Sequence, residues 1–153
     1  MSYPIKNLGG LETDEIKLLK SLGIRTTDRL LEAAANPKGR RQLFEKSGID
    51  EKRLLRLANT CDHLRIKGMG RGYVELLHEA GVDTVRELRY RKPENLAKAM
   101  TKANEKNKLV RFLPSEKLVV RWIEEARKLP LMITYKDRAE DPRRVARRKP
   151  SDN

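Results

Sequence analysis

The sequence predicts an all-α protein, and three observations predict it: a composition dominated by helix formers, a near absence of β-branched runs between turns, and an internal repeat built of short amphipathic stretches. Of the 153 residues 38% are hydrophobic and only 5% aromatic, so the core has to be aliphatic. That length suffices for one domain or two small ones, with a core that needs neither metal nor disulfide.

The repeat sets the organisation. Residues 8–30 lie without a gap over residues 66–88 at an offset of 58, which superposes Gly10, Leu18, Leu19, Gly23, Thr26 and Leu30 on Gly68, Leu76, Leu77, Gly81, Thr84 and Leu88. Residues 48–64 lie over 113–129 at an offset of 65, so the second copy gains seven residues, placed around 105–110. The expected division is a first repeat over 1–64, a second over 65–130, and a polar basic tail over 131–153 that is expected to be disordered.

Each copy reads as about four helices. Ile16, Leu19 and Leu22 form an i, i+3, i+6 stripe that Gly23 ends as a C′ residue. Thr84 and Glu87 are spaced as a capping box ahead of Leu88. Asn36-Pro37 and Pro93 mark further starts, because proline is tolerated in a first turn. Asp50 and Ser115 are the N-caps of each copy's fourth helix, whose apolar faces are Leu54, Leu57, Ala58, Cys61 and Leu64 in one and Val119, Trp122, Ile123 and Ala126 in the other. Trp122, equivalent to Leu57, is expected in the core. Residues 131–135 can form a short extended piece.

Charge points to the partner. The formal charge is +13, divided as +3 over residues 1–64, +7 over 65–130 and +3 over 131–153, so the second repeat carries the excess. Such a balance concentrates polyanions at the surface, and nucleic acid comes first among them; a surface tuned for solubility is the plain alternative. No window reaches the ~18 apolar residues of a membrane span. The first residues carry no apolar signal stretch, and Cys61 stands alone. A soluble cytoplasmic protein is the expectation.

The most informative stretch is residues 65–72, Arg65-Ile-Lys-Gly-Met-Gly-Arg-Gly, between two helices. A glycine-hydrophobe-glycine turn permits positive φ and leaves no Cβ to hold a ligand off. Amides of Gly68, Met69, Gly70, Arg71 and Gly72 can converge at a helix N-terminus, where unpaired N–H groups and the helix dipole favour a phosphate oxygen. Lys67, Arg71 and Arg65 add charge there. In the first copy Glu12, flanked by Asp14 and Glu15, stands where a phosphate would sit, so that hairpin is expected to be structural. Arg89, Arg91 and Lys92 flank Tyr90 in a basic cluster able to straddle a phosphate, though Tyr90 filling a gap between helices accounts for it equally; Arg111 can reach another phosphate but is more simply a solvated surface arginine. The run Arg143, Arg144, Arg147, Arg148 and Lys149 can track a polyanion as an arm or simply solvate the terminus.

The stretch running from Ile66 through Gly68-Met69-Gly70 to Gly81 resembles the helix-hairpin-helix motif of non-sequence-specific DNA-binding proteins. The whole repeat is also similar to the N-terminal domain of eukaryotic and archaeal recombinases and to the C-terminal domain of the RNA polymerase alpha subunit. As a two-copy chain it resembles a bacterial tandem helix-hairpin-helix family of unknown function, over roughly residues 5–130. The resemblance implies two tandem helix-hairpin-helix repeats and phosphate contacts by hairpin amides, with DNA favoured over RNA.

Catalysis finds little footing in these residues. Cys61 and His63, two apart on a helix, point about 200° away from each other. No CxxC, HExxH, Walker-type or dinucleotide pattern occurs, so no metal, cofactor or small-molecule substrate is expected, nor an enzyme. The expected function is sequence-independent DNA binding; the alternative is a protein-interaction adaptor or scaffold, its basic surface docking an acidic partner.

Overall fold

Four helices form in each copy, and they make the same contacts twice. The computed structural model describes residues 2–136. After a short 3-10 turn at Ile5–Asn7 come α1 (Thr13–Ser21), α2 (Thr27–Ala33), α3 (Pro37–Ser47) and α4 (Glu51–Leu64), then α5 (Arg71–Glu79), α6 (Val85–Arg89), α7 (Pro93–Asn107) and α8 (Glu116–Lys128). α1 packs on α3, α2 on α4 and α3 on α4; α5 packs on α7, α6 on α8 and α7 on α8. No strand occurs among the described residues, only an isolated bridge between Pro4 and Thr26.

Local chemistry sets most helix starts. The side chains of Thr26, Asn36, Asp50, Thr84 and Ser115 accept from the amides of Arg29, Gly39, Lys52, Glu87 and Leu118, each contributing about 1 kcal/mol. The Thr84–Glu87 pairing is only half a capping box. Glu87 bonds the Thr84 hydroxyl and the Asp83 amide rather than the Thr84 amide. The seven-residue insertion lengthens α7 to 15 residues against 11 in α3 and adds the segment after it.

A single apolar cluster runs from Ile5 to Ala126 and takes residues from every helix, with Trp122 fully buried and Cys61 on the inward stripe. The copies join through α4, which packs on α5 and α6. The expected α1 stripe is met at Leu19 but not at Leu22, which is 37% exposed. Leu18 and Leu22 stay open near the end of α1, whereas in the second copy Asn107 of the longer α7 reaches Glu79 at the end of α5.

Residues 131–136 fall outside the helices yet are tied to the first copy. Thr134 donates its amide to Ala35 and accepts from the buried Arg40 guanidinium. The basic run from Arg143 to Lys149 lies outside the described residues.

Candidate functional site

The two turns that precede α1 and α5 are built on one plan and finished differently. In each, a glycine at the corner lies against the fourth helix: a Cβ on Gly10 would stand 3.7 Å from Leu57, and one on Gly68 would stand 3.9 Å from the indole nitrogen of Trp122. Leu57 and Trp122 are equivalent in the repeat. Gly68 has φ +82°, the left-handed region that favours glycine, and this is what turns the chain from α4 into α5. Gly70 does not share it; its φ of −91° is ordinary extended backbone.

Acids finish the first turn. Glu12 is the N-cap of α1 and exchanges reciprocal bonds with Glu15, one of whose carboxylate oxygens accepts from the Glu12 amide at 2.9 Å. Arg53 of α4 grips both Glu15 oxygens at 2.8 Å and donates to the Gly10 carbonyl at 2.9 Å. The Arg53 hydrogen bonds, then the Glu12 amide, hold the Glu15 carboxyl below its ordinary range. The expectation that this hairpin is structural fits that closed network.

The second turn is left unfinished. Gly70 is the N-cap of α5 with no side chain to offer, and no acid lies in the first turn of the helix. Among the described residues, chain neighbours aside, nothing stands within 4 Å of where a Cβ on Gly70 would be. Among the described residues no acceptor meets the amides of Gly70, Arg71 or Gly72. The expected convergence from Gly68 to Gly72 is narrower than the sequence implied, because the Met69 amide is used internally on the Ile66 carbonyl and the Met69 side chain is buried. Beneath the turn, the Trp122 indole N–H meets no acceptor among the described residues, and its ring packs on Tyr73 with centroids 5.1 Å apart.

Lys67 and Arg71 are both exposed. The Arg71 guanidinium lies across Gly9 of the first turn, 2.9 Å from where a Cβ there would stand, and among the described residues a 3.3 Å contact with Glu75 is what offsets its charge. Arg111 is exposed beside the same turn: Val110 touches the Cβ position of Gly72 at 3.2 Å, and the Tyr73 hydroxyl donates to the Phe112 carbonyl at 3.4 Å.

Other basic residues lie elsewhere. Arg65 pairs with Asp62 and donates to the Pro130 carbonyl at 3.2 Å. Arg89 donates to the Ala126 carbonyl at 2.8 Å and to that of Leu129, capping the C-terminus of α8. Both guanidinium groups are committed to the fold. Arg91 and Lys92, half-buried and exposed, follow Arg89 at this end of α8, seven to eleven residues along the helix from the Leu118–Trp122 segment under Gly68, or about 10–16 Å.

Between the copies runs a groove of about 790 Å³, floored by α4 and walled by α5 and the start of α6. Its chemistry is divided. Lys52, Arg53 and Arg56 line it from α4, while Glu75, Glu79 and Asp83 line the other wall. His78 bonds Arg56 at 3.0 Å through Nε2 and Asp83 through Nδ1. His63 lies deeper, its Nδ1 3.0 Å from the Asn59 carbonyl, and burial pushes its imidazole down to about 4. Among the described residues no three His, Cys, Asp or Glu side chains gather as for a metal, and no helix is long and apolar enough to cross a membrane.

Sequence reasoning missed Phe112, which is 72% exposed and carries the Arg111 guanidinium over its ring at 5.7 Å from the centroid. The signal was the insertion itself.

The family of the domain of unknown function DUF4332 matches residues 9–129, nearly the whole described helical array. The chain belongs to that family. No curated protein and no solved structure matches it. Membership in DUF4332 spans both copies, so the tandem arrangement lies within the family's domain rather than beside it.

Proposed function

We propose that this DUF4332 protein binds nucleic acid, DNA in preference to RNA, by gripping phosphates without reading base sequence, and that its second turn works as a helix-hairpin-helix clamp. One difference between the copies carries the reading. Glu12, whose carboxylate caps α1, is replaced at the equivalent position by Gly70, and among the described residues the amides at the start of α5 meet no acceptor. A phosphate oxygen fits the place of the missing carboxylate, since both are anionic acceptors drawn by the same N–H groups and dipole. Lys67, Arg71 and Arg111 supply charge around it, within a repeat whose net charge is +7. Backbone contacts of this kind position a protein on the polymer without specifying sequence.

The test is binding to a fluorescently labelled DNA across a salt series. Wild type is expected to lose affinity steeply with salt, and Gly70→Leu to bind about tenfold more weakly at low salt while folding normally, as the loss of one charge-assisted hydrogen bond implies. Unchanged affinity in a folded Gly70→Leu variant overturns the clamp.

A second reading, the adaptor, is supported by Leu18, Leu22 and Phe44, which are 36%, 37% and 44% exposed on the packed pair α1 and α3. Salt-insensitive capture of one stoichiometric protein, with no retention on DNA, would favour it.

A further inference from the structure

We propose that the strand held at the second turn is single-stranded DNA, and that Phe112 is the platform on which one of its bases stacks. This deepens the phosphate-clamp reading and rests on it.

The observation is an aromatic side chain held out in solvent by a segment that is itself pinned. Phe112 is 72% exposed and Leu113 beside it is 43% exposed. Apolar side chains exposed singly are common on protein surfaces; what distinguishes this one is the backbone that carries it. Asn104 clamps Val110 with two bonds, donating to its carbonyl at 3.1 Å and accepting from its amide at 3.0 Å. The Tyr73 hydroxyl holds the Phe112 carbonyl, and Tyr73 is itself braced on the buried Trp122. The backbone that carries the ring is therefore held before any ligand arrives, which lowers the ordering cost of binding.

Its position relates it to the amides at the start of α5. Val110 packs on Gly72, the third residue of the amide set, and Tyr73 follows Gly72 directly. A strand whose phosphate occupies the start of α5 therefore brings a neighbouring nucleotide to the Phe112 ring. Arg111 lies over that ring and adds a cation at the same place. A purely apolar protein ligand would meet this cation unfavourably, whereas a nucleotide offers a π-face and a phosphate to the pair.

The two copies supply the comparison. In the first, the turn is closed by Glu12, Glu15 and Arg53, and α3 passes to α4 through residues 48–50 alone, where α7 passes to α8 through the longer segment 108–115 that carries Phe112. The uncapped amides and the exposed aromatic occur together and are absent together. Duplex DNA keeps its bases stacked on one another, so a lone ring selects a strand whose bases are free.

The experiment uses the full chain and two probes at low salt: a 12-nucleotide single strand carrying one 2-aminopurine, and the corresponding duplex. Wild type is expected to bind the single strand more tightly than the duplex and to change the 2-aminopurine fluorescence. Phe112→Ala is expected to weaken single-strand binding roughly tenfold and to abolish the fluorescence change, with duplex affinity untouched, while Phe112→Trp retains both. If Phe112→Ala leaves single-strand affinity and fluorescence as in wild type, the stacking proposal is overturned while the phosphate clamp stands. If wild type binds neither probe, the clamp and the proposal built on it both fail.

Discussion

Glu12 and Gly70 hold the same place in the two copies, each the N-cap of the helix after its turn, and only Glu12 brings a carboxylate to the amides behind it. The difference makes stability and binding oppose one another at position 70. Gly70→Asp supplies an N-cap acceptor in open space at an unstrained backbone position. It should raise stability by about 0.5–1 kcal/mol through capping, the helix dipole and lower chain entropy. The same carboxylate occupies the proposed phosphate site, so DNA affinity should fall by at least tenfold. Urea unfolding and fluorescence anisotropy on one preparation read both effects. A variant that is stabilised yet binds DNA as wild type does would remove the amides from the site.

Much of this was legible because the sequence states it twice. Matching glycines and leucines at a constant offset fixed the copies, and residues that can only be caps, such as Asp50 and Ser115, fixed helix starts. What escaped depended on distance across the fold. Arg65 and Arg89 look like phosphate ligands beside Lys67 and Tyr90, and nothing local reveals that the Pro130 and Leu129 carbonyls, some 40 to 65 residues away, receive them. Leu22 fits the apolar stripe of α1, but whether it is covered depends on what packs beside it, which periodicity within α1 does not contain. Phe112 belongs to the longer segment between α7 and α8, outside the matched blocks, so the repeat that explained other positions gave it no role.

His63 makes stability depend on pH. Its folded imidazole is held near 4 against an ordinary 6.5, chiefly by burial. Between those values the unfolded chain takes up a proton that the folded chain refuses, so stability rises as pH goes from about 4 to 6.5. The full difference is on the order of 3 kcal/mol. Asp62, which burial pushes up, acts in the opposite direction. Comparison with His63→Gln isolates the histidine: the gain in urea midpoint between pH 4.5 and 7.5 should be clearly larger in wild type. Equal gains would mean that His63 does not titrate on unfolding.

Cys61 gives a direct probe of the α4 core. It is buried, and desolvation, then the charges of Asp28 and Asp62, push its thiol up to about 12, so the reactive thiolate is scarce at pH 8. A disulfide-exchange reagent should label the native protein only as fast as it opens, and completely within the mixing time in strong denaturant. Rapid labelling of the native state would show that α4 is not packed on α2 as described.

Arg89 and Lys67 should separate framework from binding surface. Arg89 donates to the Ala126 and Leu129 carbonyls at the end of α8, and Arg89→Ala leaves those partly buried acceptors unmet. The expected cost is about 1.5–3 kcal/mol in urea unfolding, with DNA affinity reduced little wherever the protein remains folded. Lys67 is exposed and has no partner among the described residues, so Lys67→Ala should leave unfolding within about 0.5 kcal/mol of wild type. Loss of one phosphate contact should instead make the slope of log affinity against log salt shallower by about 0.9. The pattern is diagnostic because each variant removes one positive charge, so a response governed by net charge alone would be the same for both. Equal slope changes and equal stabilities would therefore dissolve the distinction and leave binding to diffuse charge.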